Sequence, residues 1–124
     1  MTIHKFISNI IGTFNKSSQN ITPELIITAL ILINRLKTLN PNCRGSGSSG
    51  HRLLLAALML ASKTMMDDTY DNSEWAYVSA GLFGVGEVNQ MEIEFLALID
   101  YQVFVSPGEW MDFAGNIENK AREY

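Results

Sequence analysis

The sequence predicts an all-α fold, a bundle of helices packed round one central helix that is buried on every side. Three observations carry this. From Leu53 to Ala61 the chain runs Leu-Leu-Leu-Ala-Ala-Leu-Met-Leu-Ala without a polar break. A helix apolar round its whole girth belongs at the centre of a bundle, whereas a surface helix shows a single apolar stripe. Elsewhere apolar residues recur at steps of three and four, the helical period, and no stretch alternates convincingly as a strand would, although Tyr101 to Val105 is short enough to be briefly extended.

The elements follow in order. Ile3, Phe6, Ile7, Ile10, Ile11 and Phe14 form the apolar side of a first helix, which stops at the polar run Lys16-Ser17-Ser18-Gln19-Asn20. Thr22-Pro23-Glu24 opens a second: threonine caps, proline takes the first helical position without losing a needed donor, and glutamate sits in the favourable field of the N-terminus. This helix is expected to reach about Leu39, with Arg35 and Lys37 complementing its C-terminal end before Asn40-Pro41 closes it. The buried rod, from about Gly50 to Met66, is the third. A short fourth begins near Asn72 or Ser73, carries Trp75, Tyr77 and Val78, and ends by Gly81. Gly84-Val85-Gly86 introduces a fifth with Val88, Met91, Ile93, Phe95, Leu96, Leu98 and Ile99 as its apolar positions. Ser106-Pro107-Gly108-Glu109 starts a further helix through Trp110, Met111, Phe113 and Ile117.

With 124 residues, 47% apolar and 18% charged, the chain allows one core and needs no staples. Its net charge is −4 and its pI about 5.0, so it lacks the basic footprint of a nucleic-acid binder. Scattered lysines and arginines argue against an anionic membrane surface as partner. The longest apolar run is less than half a membrane span, and the N-terminus lacks the continuous apolar region of a signal peptide. Cys43 is alone, which fits a reducing interior, nucleus or cytoplasm.

Several patterns resemble enzyme sites and fail on context. Gly45-Ser46-Gly47-Ser48-Ser49-Gly50 spells G-x-G-x-x-G, but a helix precedes it where a dinucleotide site needs a strand. It reads as an inter-helix loop. Asp67, Asp68, Asp71 and Asn72 supply oxygen ligands, yet a calcium loop from Asp67 would place Asn72 at its glycine position and Val78 at its bidentate glutamate. Capping of the fourth helix is the better account. Cys43 with His51 has nothing to orient it as a catalytic pair, and His4 and His51 lack the partners of a metal site. The chain reads as a non-enzyme, with no cofactor and no metal.

The string His51 to Lys63, ending Ala61-Ser62-Lys63, is followed by Asp67-Asp68-Thr69-Tyr70-Asp71-Asn72, Trp75, Val78, Glu87-Val88-Asn89-Gln90-Met91-Glu92 and Phe95-Leu96. Together these resemble a cyclin box, and more narrowly the fungal phosphate-pathway single-box cyclins that activate a Pho85-like cyclin-dependent kinase. The resemblance covers Thr22 to Val105 and includes the Arg44 to Arg52 loop. It implies one cyclin-box domain over residues 1–124, with its core at 22–105 and a C-terminal helix at about 107–121. It also implies a five-helix cyclin fold with the third helix at its centre, plus a short flanking helix.

By this resemblance the kinase contact comes from the end of the third helix and the exposed face of the fifth. The lysine and glutamate that bind the kinase's regulatory helix correspond to Lys63 and Glu92. Leu96, Tyr101 and Val103 correspond to apolar contacts, with Met66 and Asp67 on the adjoining rim. The expected face is therefore apolar and bordered by one positive and one negative residue. The chain departs from the family at Thr64, where many cyclins carry an aromatic residue, and its first helix lacks the M-R-A-I-L-type docking motif, so recruitment of R-x-L substrates is not implied. Taken singly, Lys63 also reads as a helix C-terminal cation, Glu92 as a solvated face, and Tyr101 as a core aromatic with its hydroxyl at the surface. A cyclin-fold adaptor that holds another protein without activating a kinase is the alternative function.

Overall fold

The computed structural model describes residues 5, 8, 22–42, 49–65, 71–79 and 81–122. Among them are five helices and no strand: α1 (Pro23–Leu39), α2 (Ser49–Met65), α3 (Asn72–Val78), α4 (Val85–Leu98) and α5 (Pro107–Arg122). These are the second to sixth helices expected from the sequence. The expected first helix, apart from Lys5 and Ser8, lies outside the described residues, as do Cys43, the loop up to Ser48, and Met66, Asp67 and Asp68.

α1 starts as its sequence dictates. Thr22 is extended and its hydroxyl accepts the Leu25 amide at 3.1 Å, with Pro23 at the first helical position. Leu25, Ala29, Leu32 and Leu36 recur along one side, and all four are buried. The helix ends at Asn40, whose side-chain amide donates to the Leu36 carbonyl at 2.8 Å and the Leu98 carbonyl at 2.7 Å. One side chain thus joins the ends of two helices, α1 and α4, although the Leu36 carbonyl also accepts the Asn40 backbone amide.

α2 is the central rod, packed against both α1 and α4. Every residue from Leu55 to Ser62 is buried. Leu53 and Leu54 are only half-buried, so the start of the apolar run is partly open where all-round apolarity predicted enclosure. Trp75 of α3, Phe95 of α4 and Leu25 and Leu32 of α1 share one buried cluster with Leu55 and Met59 of α2, each less than 2% exposed. Burying a side chain of this size typically stabilises a fold by about 1.5–3 kcal/mol. Ile93 lies on the outside of α4 at 57% exposure, because its neighbours Val88, Met91 and Phe95 define the inward face.

α3 is fixed by a capping box: the Asp71 carboxylate accepts the Glu74 amide while the Glu74 side chain reaches back to the Asp71 amide. It stops at Ser79, earlier than the glycine signal at Gly81. The buried Ser79 hydroxyl takes over the termination, donating to the Ala76 carbonyl at 2.6 Å and accepting the Phe83 amide at 3.2 Å. Gly81 then turns the chain with φ +80, a conformation that suits glycine. No helix among the described residues is long and apolar enough to cross a membrane.

Candidate functional site

Lys63 sits in the last turn of α2, where the rod reaches the surface. Its ammonium donates to Glu92 Oε2 of α4 and to Asn72 Oδ1, at the first turn of α3, at 2.8 Å. The Asn72 amide group in turn donates to Asn89 Oδ1 at 2.6 Å and approaches Glu92 Oε1 at 3.4 Å. Asn89 and Glu92, three apart on α4, share a helix face, which is why both reach the same asparagine. Three helices are therefore stitched at one point. The side chains of Lys63 and Glu92 are 32% and 18% exposed, open enough to meet a partner.

Asp71 borders this cluster. The Ser73 hydroxyl, donating at 2.6 Å, and then the Glu74 amide hold its carboxyl below the usual carboxylate value, with Lys63 adding a smaller pull. Its role is the cap expected of it. Among the described residues no group of acidic, histidine or cysteine side chains is arranged to hold a metal ion.

After α4 the backbone makes a tight reversal. The Tyr101 amide bonds back to the Leu96 carbonyl at 2.8 Å, and Asp100 and Tyr101 both adopt left-handed conformations with φ 53 and 58. Such a conformation costs a non-glycine residue roughly 1–2 kcal/mol. The reversal throws the Tyr101 ring outward, 65% exposed. A strap of residues 101–106 then runs to α5. Val103 leans on the core and Phe104 points away from it at 76% exposure, as alternation along an extended segment requires. A groove of about 330 Å³ lies alongside, lined by Thr64 and Met65 from the end of α2, Thr28 of α1, Val103 and Phe104 of the strap, and Trp110 of α5.

The structure thus pairs Lys63 with Glu92, sets Leu96 one turn further along α4 and Val103 beside the end of α2, and leaves Tyr101 just past α4, with corrections to their expected parts. Lys63 and Glu92 do not border the face as two separate charges; they bond to each other. Tyr101 is not a core aromatic. Leu96 and Val103 are half-buried against the core, so most of their surface is already covered, and Tyr101 offers the larger open area. Met66 and Asp67 lie outside the described residues.

Sequence reasoning missed Asn72 and Asn89 as partners of the charge pair, and Phe104 as an exposed aromatic. Phe104 had a signal in the Val-Phe-Val alternation; the asparagines had none without the fold. By its place in the sequence Arg35 is a helix-end cation. It instead forks to Glu109 of α5. Glu87 and Glu94 of α4 flank Arg52 at 3.6 Å each, and Arg52 also lies over the Phe83 ring at 5.8 Å.

The described residues thus form a helical box round one buried rod, with a lysine at the end of the rod paired to a glutamate on the adjacent helix. The family model that matches is the cyclin, over residues 3–103, and the chain belongs to the cyclin family. It is 33% identical over 108 residues to PHO85 cyclin-9 of Saccharomyces cerevisiae, covering 86% of this chain and 34% of that one. PHO85 cyclin-2 of the same yeast is 35% identical over 102 residues, covering 82% and 32%. Cyclin-U2-2 of Arabidopsis thaliana is 30% identical over 120 residues, covering 97% and 49%. The chain therefore spans about a third to a half of the length of these relatives. No solved structure matches significantly.

Proposed function

We propose that this chain is a non-catalytic regulatory subunit that binds and activates a PHO85-like cyclin-dependent kinase, acting in the nucleus or cytoplasm. The observation that carries the reading is the Lys63–Glu92 pair at the end of α2 and the face of α4, in a chain of the cyclin family whose Tyr101 ring is open to solvent. Both yeast relatives described above bear the name PHO85 cyclin. The contact set is Lys63, Met66, Asp67, Glu92, Leu96, Tyr101 and Val103, neither nucleic acid nor membrane being a partner.

The mechanism is selection of a conformation. A kinase is active when its regulatory helix lies inward, so that a glutamate on it meets the lysine that holds ATP. A partner shifts that equilibrium only as far as it binds the active state better. Here the face is rigid, because the helices beneath it are anchored in the core and stitched through Asn72. Lys63 and Glu92 supply polar groups at fixed positions and so set register, while Tyr101 supplies apolar area that is open before binding.

The test mixes the purified chain with PHO85 kinase of Saccharomyces cerevisiae and measures binding and phosphorylation of a peptide substrate. Saturable binding with stimulated phosphorylation is expected. Binding without stimulation would replace this reading with the adaptor.

A further inference from the structure

We propose that Arg35 is a positioning residue for the kinase-binding face, clamping the strap of residues 101–106 to α1 and, through Glu109, to α5. The proposal rests on the reading of that face given above and extends it to residues that do not touch the kinase. Arg35 lies near the C-terminal end of α1 with its side chain only 14% exposed. One guanidinium nitrogen donates to the backbone carbonyl of Gln102 and, at 3.1 Å, to that of Phe104. The other donates to both carboxylate oxygens of Glu109, at 2.8 and 3.0 Å.

This bonding answers a need of the strap. Residues 101–106 belong to no helix or strand, so their backbone groups require other partners. The carbonyls of Gln102 and Phe104, two apart in an extended segment, face the same side, and a single planar fork serves both. The strap also begins at Asp100 and Tyr101 in left-handed backbone, which persists only where the surroundings over-determine it. The Tyr101 amide is held by the Leu96 carbonyl, the Tyr101 carbonyl accepts the Val103 amide, and Arg35 holds the carbonyl of Gln102. The clamp therefore fixes the direction in which Tyr101 and Phe104 project.

Glu109 completes it. The Glu109 amide is capped by the Ser106 hydroxyl at 3.1 Å, placing its carboxylate in the first turn of α5. α5 begins beyond residue 103, where the family match ends. The clamp gives this helix a part in the binding face.

The test uses the full chain with PHO85 kinase of Saccharomyces cerevisiae, comparing Arg35→Gln, Arg35→Lys, Glu109→Gln and Lys63→Glu. Kinase affinity, amide hydrogen exchange and melting are measured for each. Arg35→Gln is expected to weaken binding by about tenfold or more and to speed exchange in residues 101–105 by a similar factor, with the α2 amides unchanged. Arg35→Lys, which keeps the charge but not the fork, is expected to fall between it and the wild type, and to remain folded even if the glutamine variant does not. Glu109→Gln, which leaves both carbonyl bonds in place, is expected to have the smallest effect. Wild-type affinity in both Arg35 variants, with Lys63→Glu defective, overturns the clamp alone. Wild-type affinity in Lys63→Glu as well overturns the reading of the face on which the clamp depends.

Discussion

Reversing the charges of the Lys63–Glu92 pair, singly and together, separates a binding site from a structural strut. In Lys63→Glu a carboxylate replaces the ammonium beside Glu92 and Asn72 Oδ1, so a salt bridge and a hydrogen bond are lost and two like charges meet. Both side chains are partly exposed, and an exposed pair contributes roughly 0–1 kcal/mol to stability. For a domain of this size a loss of about 1 kcal/mol lowers the melting temperature by only a few degrees. Removing one member of a charge contact desolvated against a partner typically costs about 2–5 kcal/mol, or roughly 30-fold to several thousand-fold in affinity. The double variant Lys63→Glu with Glu92→Lys sharpens the comparison. It restores the pair and hence the melting temperature, but it presents inverted polarity to the kinase, so binding stays weak. Calorimetric titration against the kinase, alongside thermal melts, reads both quantities. A double variant that regains wild-type affinity together with stability would refute the reasoning, since the pair would then act only by holding the helices together.

Other perturbations address the scaffold and the rim. Leu58, 4% exposed on the central rod, should not tolerate aspartate: Leu58→Asp buries an unpaired charge at a cost of several kcal/mol, and a folded mutant with unchanged melting would overturn the role of α2. Tyr101→Asn puts a residue tolerant of left-handed backbone at φ 58, so melting should hold or rise slightly while kinase affinity drops by roughly tenfold; unchanged affinity would remove Tyr101 from the contact. Asp71 titrates below its ordinary value of 3.8 in the folded chain, so its cap on α3 is fully present above that value and is lost as the pH falls through the lower, folded one. Asp71→Asn caps without titrating. The difference in melting between the two proteins should be flat at neutral pH and change only below about pH 4, and a difference that stays constant through the acid range would show that Asp71 does not govern the cap.

What the sequence determined by itself is whatever depends on neighbours along the chain. Thr22-Pro23-Glu24 determines where α1 begins, because a cap, a fixed φ and a dipole charge act within one turn. The unbroken Leu53–Ala61 run places α2 at the centre, because no surface position suits a helix without a polar side. The end of that rod marks Lys63 as the point of emergence, and the spacing of α4 marks Glu92 as outward-facing. The tertiary structure alone decided what these groups meet. Lys63, Asn72 and Glu92 belong to three helices, and only packing round the rod brings their polar ends within hydrogen-bond reach. Arg35 obeys the local rule for a helix-end cation as well as Lys37 does, yet it faces the strap while Lys37 faces solvent, so Glu109 and two backbone carbonyls claim it. Ile93 counts among the apolar positions of its helix yet lies outside, because which apolar side chains are covered depends on how many helices surround each one. Capping and periodicity are short-range and are written in the order of residues; pairing across helices depends on the directions in which side chains leave a packed core, and those directions exist only once the bundle has formed.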